Sequence, residues 1–184
     1  MRKIYFIRHS IRDTNIKHEV EAPLTDDGYD LAELLVPIFE SINITAIYSS
    51  PYNRAIETIV PIAESKKIDI NIVTDLKERV IGTWVKDFDS FTKQQWDDFD
   101  YLIEDGESLN DVRHRMLRTF NTILSRSTGD IIVSGHGTSF AVLFNYFTPD
   151  FGYESWRNMT MPDVYCLTIY NDIFELKRTK LKGG

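Results

Sequence analysis

IYFIRHS, residues 4–10, is a short apolar run that ends on Arg8 and His9. Two later stretches repeat this pattern, SSPYNR at residues 49–54 and IIVSGHG at residues 131–137, and each carries an arginine or a histidine near its end. Ligands of open α/β sheets bind beyond the carboxyl ends of the strands. We therefore expect two arginines and two histidines to meet at one edge of a sheet and to bind a small, highly charged anion, with phosphate as the first candidate.

The length and composition predict one ordinary globular domain. The chain has 184 residues, within the usual size of a single domain, and 42% of them are hydrophobic and 27% charged. No apolar stretch approaches the roughly 20 residues that span a bilayer, and no secretion signal is apparent, so we expect no membrane partner. The only cysteine, Cys166, fits a reducing compartment. We therefore predict a cytoplasmic protein.

The formal net charge of −7 argues against a nucleic-acid partner, because the nucleic-acid backbone attracts basic surfaces. It does not argue against a small anionic ligand. A cleft lined by cations can dominate at short range, where field lines are focused and salt screens the rest of the molecule. The sequence does not indicate an oligomeric state.

Strand-like and helix-like segments alternate along most of the chain. Strands are predicted at residues 3–8, 44–48, 68–73 and 130–134, with two more near residues 163–170 and 172–178 that form a hairpin turning at Asn171-Asp172. Amphipathic helical patterns lie between them, and a helix is predicted at about residues 137–147. This alternation predicts a mainly parallel sheet covered by helices on both faces, an α/β fold in the form of a three-layer α/β/α sandwich.

Several helix boundaries can be read from capping residues. Thr25 is the predicted N-cap of the first helix, and Pro37 predicts a kink or an early end in it. Ser50-Pro51 is predicted to start the next helix, with the serine as cap and the proline in the first turn. Ser108 should open a long helix with Asp111 at the capping-box position.

Residues 75–107 fit the alternating pattern poorly. They combine many acidic residues with Trp84, Phe88, Trp96 and other aromatic residues. One interpretation is a lid or specificity insert over the site; the other is the ordinary packing of an amphipathic segment. In either case we assign residues 1–184 to a single domain.

The motifs occur in an order that can be compared with known families. They are Arg8-His9-Ser10, Asn15, Leu24-Thr25 with Gly28, Ser49-Ser50-Pro51 with Arg54, Glu78 before Gly82 and Trp84, Gly106-Glu107-Ser108, and His136-Gly137. This ordered set resembles the histidine phosphatase superfamily, also called phosphoglycerate mutase-like proteins, over residues 3–140. Each motif is weak alone, but the set is specific. The resemblance implies the phosphoglycerate mutase-like form of the three-layer fold and a covalent phosphohistidine intermediate.

The resemblance implies that His9 is the nucleophile, since an imidazole both attacks and leaves well. Attack requires a neutral ring, and Arg8 and Arg54 should disfavour the imidazolium. The two guanidinium groups would also clamp phosphate oxygens. His136 would donate to the same oxygens and stabilise the transition state, and Gly137 beside it permits close backbone approach.

Glu78 is the predicted proton donor to the leaving oxygen and the base that then activates water. Glu107 is the competing acid, although the resemblance favours a structural role for it. Asn15 is predicted either to hydrogen-bond phosphate or to be an ordinary turn residue.

Two residues depart from the family pattern. Ser10 replaces the usual glycine, where a side chain could crowd the phosphate, strain the backbone or donate a hydroxyl hydrogen bond. Arg12 stands where the family commonly has threonine, and it either extends the anion pocket toward a second acidic group of the substrate or points to solvent. The substrate-binding set predicted from the sequence is therefore Arg8, Ser10, Arg12, Asn15, Arg54, His136 and Gly137.

The sequence thus predicts a metal-independent phosphatase that hydrolyses a small phosphorylated metabolite through a phosphohistidine on His9. No metal or cofactor is indicated, because the sequence lacks zinc-binding spacings, a P-loop and a nucleotide fingerprint. Three alternatives stay open. They are a phosphoprotein phosphatase acting on phosphohistidine, phosphoserine or phosphotyrosine, a phosphoglycerate mutase, and a non-catalytic binder of phosphorylated ligands motivated by Ser10.

Overall fold

Within residues 1–171 and 173–179, which the computed structural model describes, six strands form one sheet. The strands are β1 (Arg2–Arg8), β2 (Ile44–Ser49), β3 (Ile70–Ile72), β4 (Asp130–Gly135), β5 (Asp163–Tyr170) and β6 (Ile173–Thr179). Their order in the sheet is β3-β2-β4-β1-β5-β6. Strands β1 to β4 pair in parallel, whereas β5 is antiparallel to β1 and β6 to β5. The predicted mainly parallel sheet is confirmed.

The helices occupy the connections between the strands. They are α1 (Asp26–Glu33), α2 (Val36–Phe39), α3 (Asn53–Lys66), α4 (Phe88–Asp97), α5 (Leu109–Arg126), α6 (Gly137–Phe147) and α7 (Tyr153–Arg157), with a short 3₁₀ helix at Thr74–Leu76. In the described part of the chain, no helix is both long and apolar enough to cross a membrane.

The alternation of side chains along β1 divides the core into two layers. Ile4 and Phe6 belong to a buried cluster with α5 and α6, whereas Tyr5 and Ile7 belong to a second cluster with α2 and α3. Successive side chains of a strand point to opposite faces of the sheet, so these clusters cover opposite faces. The three-layer α/β/α arrangement predicted from the sequence is confirmed.

Phe6 fixes the start of α6 against the sheet. Its ring lies 5.1 Å from that of Phe140 and 5.2 Å from that of Phe144, both in edge-to-face geometry, and 6.0 Å from that of Phe120 in α5. Buried aromatic contacts of this kind contribute about 0.5–1.5 kcal/mol each beyond the area they bury. Because Phe140 lies in the first turn of α6, this packing also positions the residues at the N-terminus of that helix.

Most predicted boundaries agree with the structure. The helical pattern is divided before Pro37, with α1 ending at Glu33 and α2 beginning at Val36, as the early-end prediction required. The capping box at the start of α5 is complete. The Ser108 hydroxyl accepts from the Asp111 N–H at 3.1 Å, and the Asp111 carboxylate accepts from the Ser108 N–H at 3.0 Å.

The predicted start of α3 at Ser50-Pro51 is wrong by two residues. The helix begins at Asn53 with Tyr52 as N-cap residue. The Ser50 N–H still donates to the Ser134 carbonyl at 3.0 Å, which continues the pairing of β2 with β4. Its hydroxyl lies 2.7 Å from a ring nitrogen of His136, so this side chain serves the strand-end site rather than the helix.

The third predicted strand, at residues 68–73, is shortened to Ile70–Ile72. Lys67 adopts a left-handed conformation as the C-cap of α3, and the Ile68 N–H donates to the Ala63 carbonyl at 3.0 Å. Residues 67 and 68 therefore terminate the helix. The predicted hairpin of β5 and β6 is present, with Asn171 left-handed in its turn, whereas Asp172 lies outside the described residues.

The segment at residues 75–107 is tied to α5 at both ends. The Arg115 guanidinium donates to both carboxylate oxygens of Glu107, at 2.8 and 2.9 Å, and to the carbonyls of Asp75 and Lys77, at 2.7 and 3.1 Å. These contacts support the packing interpretation for the base of the segment.

The aromatic residues within the same segment differ in their exposure. Trp96 and Phe99, at the end of α4 and just beyond it, pack against the core cluster that contains Phe6. Trp84, which precedes α4, is 80% exposed. A lid or specificity role for this exposed part stays a prediction.

Candidate active site

The predicted strand ends meet because the parallel strands are in register. Arg8 of β1 pairs with Gly135 of β4, and Ser49 of β2 pairs with Ser134 of β4. The residues that immediately follow these pairs, His9, Ser50 and His136, consequently lie side by side at the carboxyl edge of the sheet. The centroids of the two imidazole rings are 5.3 Å apart. The two histidines that were predicted to meet at this edge are therefore adjacent in the structure.

The ring of His9 is held by its neighbour. Its Nδ1 atom lies 2.7 Å from the Ser10 carbonyl oxygen, and the side chain is only 6% exposed. A carbonyl oxygen can only accept, so Nδ1 must carry the ring proton. In the neutral imidazole this leaves Nε2 unprotonated, with its lone pair available.

Burial lowers the pKa of His9 to about 3. The Ser10 hydrogen bond raises the pKa, and the charges of Arg54, Arg8 and Arg12 lower it further. The sequence prediction named the flanking arginines as the cause of the neutral ring; they act in that direction, but burial is the larger cause. His9 is therefore neutral throughout the physiological pH range.

His136 is fully buried between polar and aromatic neighbours. Its Nε2 atom lies 2.7 Å from the Ser50 hydroxyl, and its ring is 4.8 Å from that of Tyr52. Burial, together with the charges of Arg54, Arg115 and Arg8, holds the pKa of His136 well below its usual range. The Ser50 hydroxyl accepts from the Tyr52 N–H at 3.3 Å and can donate its own hydrogen to Nε2. In that arrangement Nδ1 of the neutral ring carries the proton.

Arg8 and Gly137 are packed against each other. One Nη atom of Arg8 donates to the Met159 carbonyl at 2.7 Å. A Cβ atom built on Gly137 would lie 3.0 Å from both Cζ and Nε of Arg8. Gly137 therefore leaves room for the guanidinium group, which is a more specific reason for glycine here than the close backbone approach predicted from the sequence.

Arg54 lies in the first turn of α3 and is only 3% exposed. Its guanidinium donates to the Glu19 carbonyl oxygen, lies 3.6 Å from the Glu19 carboxylate, and stacks at 4.7 Å from the centre of the Tyr52 ring. Tyr52 consequently contacts both Arg54 and His136 and holds these two side chains on one side of the site.

Four polar atoms at this edge lack a hydrogen-bond partner within the described residues, although each is buried. They are Nε of Arg8, Oγ of Ser10, Nε of Arg54 and Nδ1 of His136. The two guanidinium N–H groups and the Ser10 hydroxyl can donate, and His136 Nδ1 is a donor in the tautomer inferred above. Buried polar groups are normally hydrogen-bonded, so convergent donors of this kind favour a site that binds oxyanions.

Glu78 reaches the same edge from the segment after β3. Its carboxylate accepts from the N–H groups of Arg79 at 2.8 Å, Thr138 at 3.0 Å and Ser139 at 3.0 Å. The last two belong to the first turn of α6, beside His136, where helix geometry favours an anion. A carboxylate offers about four acceptor positions, so one remains for a proton or a further partner.

The competing acid Glu107 is engaged elsewhere. Both of its oxygens accept from Arg115, and one also accepts from the Val80 N–H at 2.9 Å. Its surroundings are those of a structural ion pair, in line with the expectation from the sequence.

Ser10 does not require the conformation of glycine. It is fully buried and is not among the described residues with positive φ, so the backbone strain considered for it is absent. Its N–H donates to the Thr58 hydroxyl at 2.8 Å, while its carbonyl binds His9. The substitution is compatible with the ring geometry of the neighbouring histidine.

The other two predicted binding residues differ in position. Asn15 is exposed in the loop after β1, and its own N–H donates to the Asp13 carboxylate at 2.8 Å. This is the geometry of an ordinary turn residue, which was the second role predicted for Asn15 from the sequence. Arg12 is partly buried and lies 3.6 Å from the Glu19 carboxylate, so it does not simply point to solvent.

Sequence reasoning missed three contributors to the site. Ser50 was interpreted only as a helix cap, although its place after an apolar run was a usable signal. Tyr52 was quoted in the motif without a role. Glu19 lies in an irregular polar loop, and its contribution can be recognised only in the structure, where the fold brings that loop to Arg54. Among the residues described, no group of three or more His, Cys, Asp or Glu side chains could hold a metal ion.

Comparison with known proteins gives one family and several similar structures. The family described as the histidine phosphatase superfamily (branch 1) matches residues 4–181. No curated protein sequence matches the chain.

Several solved structures are similar over nearly the whole chain, and three of them are described below. Bacillus stearothermophilus YhfR is 24% identical, with a TM-score of 0.78 and coverage of 97% of this chain and 96% of that one. A mycobacterial glucosyl-3-phosphoglycerate phosphatase is 17% identical, with a TM-score of 0.76 and 96% of each chain covered. A mutant phosphoserine phosphatase from Entamoeba histolytica, in complex with phosphoserine, is 17% identical, with a TM-score of 0.79 and coverage of 99% and 98%. At these identities the likeness establishes the shared fold.

Proposed function

The chain belongs to the histidine phosphatase superfamily (branch 1), and from that premise we propose that it is a metal-independent phosphatase of small phosphomonoesters. The reaction proceeds through a phosphohistidine on His9. The observation that carries this proposal is the state of the His9 ring, which is buried, neutral and held with Nε2 unprotonated. A neutral imidazole nitrogen beside several cationic groups is suited to attack an anionic phosphorus centre.

In the proposed first step, Nε2 of His9 attacks phosphorus in line with the leaving oxygen. The N–P bond forms as the bond between phosphorus and the leaving oxygen breaks, and Glu78 gives its proton to that oxygen. Arg8 and Arg54 hold the non-bridging oxygens, and the Nδ1–H of His136 donates to them. Such preorganised donors supply most of the stabilisation in phosphoryl transfer.

In the second step a water molecule attacks the phosphohistidine. Glu78, now ionised, takes the proton that the water gives up. The new P–O bond releases inorganic phosphate, and the N–P bond breaks to regenerate the neutral ring of His9. The Ser10 carbonyl keeps the proton on Nδ1 in both steps, so the same ring nitrogen attacks and leaves.

The substrate class is supported by the names of structural relatives, which include phosphatases of glucosyl-3-phosphoglycerate and of phosphoserine. These are small phosphorylated molecules, and we propose that the substrate of this chain is of similar size. A cytoplasmic location is proposed as well, which the single cysteine supports, since secreted proteins of this size commonly carry disulfides.

The test is release of phosphate from 4-nitrophenyl phosphate in the presence of EDTA, by the wild-type protein and by His9→Ala. The wild type should turn over and the variant should lose at least about 1,000-fold in kcat, because the covalent route is removed. His18→Ala, an exposed histidine in the loop after β1, is the matched control. Activity that survives in His9→Ala would refute the nucleophile. Conversion of 3-phosphoglycerate to its 2-isomer would indicate a mutase, and phosphate binding without turnover would indicate a binder.

A further inference from the structure

A third guanidinium group lies beside the proposed phosphate site. The Glu19 carboxylate is within 3.6 Å of Arg12 through one oxygen and within 3.6 Å of Arg54 through the other. The two arginines are therefore separated by the width of a single carboxylate. Arg54 is buried, Arg12 is partly buried, and Glu19 is 58% exposed.

The position of Glu19 is set by the backbone around it. Three consecutive carbonyl groups accept hydrogen bonds from the start of α3: that of Glu19 from Arg54, that of Val20 from the Asn53 N–H at 2.9 Å, and that of Glu21 from the Asn53 amide at 3.0 Å. These hydrogen bonds hold the backbone of residues 19–21 against the N-terminus of α3. The carboxylate placed between the two arginines is consequently a feature of the folded chain.

The position of the Glu19 carboxylate shows that the space between Arg12 and Arg54 accepts an anionic group. Two guanidinium groups so close together repel each other, and an anionic group between them offsets the repulsion. Burial lowers the pKa of Arg54, the Glu19 carboxylate raises it, and the charge of Arg12 lowers it. If Arg54 binds the phosphate that is to be transferred, that phosphate does not use the positive charge of Arg12, which lies at the rim of the same site.

We propose that Arg12 binds a second anionic group of the substrate, so that the preferred substrates carry a carboxylate or another phosphate a few bonds from the phosphomonoester. In the unliganded chain the Glu19 carboxylate takes the place of this anion and is displaced when substrate binds. The inference rests on the proposed function, since it places the transferred phosphate on Arg54. It adds a specificity-determining residue and a substrate class to that proposal.

The first experiment compares matched pairs of esters. One pair is 3-phosphoglycerate and glycerol 1-phosphate, in which a carboxylate of the first compound is replaced by a hydroxymethyl group in the second. The other pair is the bisphosphate and the monophosphate of propane-1,3-diol. The wild type should prefer the doubly anionic member of at least one pair, and which pair shows the preference identifies the second anion. Arg12→Gln should reduce that preference roughly 10- to 100-fold, mainly through KM, because a charge-assisted hydrogen bond is lost.

Two outcomes would overturn the inference: equal preference in the wild type and in Arg12→Gln, or an equal loss on both members of a pair, which would place Arg12 on the transferred phosphate. A wild type that hydrolyses none of these esters and no aryl phosphate would instead refute the proposed function. Calorimetric affinities for the same four compounds would then still test Arg12, because the ratio of affinities within a pair must fall in the variant.

The second experiment removes the internal competitor. Glu19→Gln should bind inorganic phosphate roughly 2- to 5-fold more tightly than the wild type, the range that partly exposed ion pairs contribute. Glu21→Gln is the matched control, because it removes the same charge from the same loop and its carboxylate pairs with His18 at 3.8 Å. Equal phosphate affinity in Glu19→Gln and Glu21→Gln would show that the Glu19 carboxylate does not occupy the anion position.

Discussion

The proposed nucleophile His9 depends on a single backbone contact for the tautomer of its ring. The Ser10 carbonyl fixes the ring proton on Nδ1, and burial keeps the ring neutral. The contact uses the main chain of residue 10, so it is available whether that residue is glycine or serine. This explains how the chain can depart from the family signature at Ser10 while keeping the geometry of the histidine.

The low pKa of His9 predicts that stability falls in acid. The ring takes up a proton near pH 6.5 in the unfolded chain but only near pH 3 in the folded one, so the unfolded state binds more protons between these values. The free energy of unfolding should therefore decrease by about 2 kcal/mol from pH 7 to pH 5 through His9 alone.

Urea unfolding at both pH values measures this effect. His9→Asn should remove about that much of the pH dependence, whereas His18→Asn, in an exposed loop, should leave it in place. If His9→Asn and the wild type lose the same stability on acidification, the ring is not held neutral by the fold.

Glu78 provides a second test at the level of a single residue. As a proton donor it matters most for leaving groups that depart poorly as anions. Glu78→Gln keeps one acceptor oxygen, which serves only one of the two N–H groups of Thr138 and Ser139, and it cannot supply the proton. It should slow hydrolysis of an alkyl phosphate by about 100-fold or more and that of 4-nitrophenyl phosphate much less. Equal slowing of both substrates would show that Glu78 is not the acid.

At the scale of elements, the site is assembled from four junctions between a parallel strand and the segment after it. The helices that follow contribute through their first turns: α3 provides Arg54, and α6 holds the Glu78 carboxylate with its N–H groups. The segment before α5 is tied to that helix by the ion pair of Glu107 and Arg115. This pair indirectly positions Glu78, because Arg115 also binds the carbonyl of the preceding Lys77.

Glu107→Gln should therefore destabilise the fold by about 3 kcal/mol, because it leaves the Arg115 charge buried without its carboxylate. Chemical denaturation provides the measurement. Asp97→Asn, which breaks the exposed pair with Lys93 on α4, should change stability little. If the two variants have similar stabilities, the Glu107–Arg115 pair does not secure the segment.

For the molecule as a whole, the aromatic core connects the sheet to the site. Phe6 lies in the middle of β1, and its contacts with Phe140 and Phe144 set the position of α6. The chain as a whole has a formal net charge of −7, while Arg8, Arg12 and Arg54 lie together at one edge of the sheet. The proposed binding of small anions would then depend on the local field of this edge, which salt screens less at short range.

Phe6→Ala should lower the free energy of unfolding by about 3–5 kcal/mol, because a large cavity opens between the sheet and α6. Leu34→Ala, at a position that is 61% exposed, should change it by less than about 0.5 kcal/mol. Should Phe6→Ala fail to fold, Phe6→Leu gives a smaller loss on the same scale. A loss for Phe6→Leu no larger than that of Leu34→Ala would contradict the proposed anchoring of α6.

Local patterns predicted much of this protein. Apolar runs followed by Arg8-His9, by Ser49-Ser50 and by His136 identified three strand ends, and the alternation of elements identified the layered sheet. Such features depend on neighbours in the chain, on helix caps and on side-chain periodicity. The start of α3 was misplaced because the Ser50 hydroxyl binds His136, which lies 86 residues away.

The sequence by itself determined which strand ends carry the charged and titratable groups, since these follow from short-range propensity and order. Only the tertiary structure decided which of those groups touch. It placed the Glu19 carboxylate between Arg12 and Arg54, packed the Arg8 guanidinium against Gly137, and paired Glu78 with the first turn of α6. The physical reason is that strand register and helix packing bring distant residues within a few ångströms, and no local pattern encodes those distances.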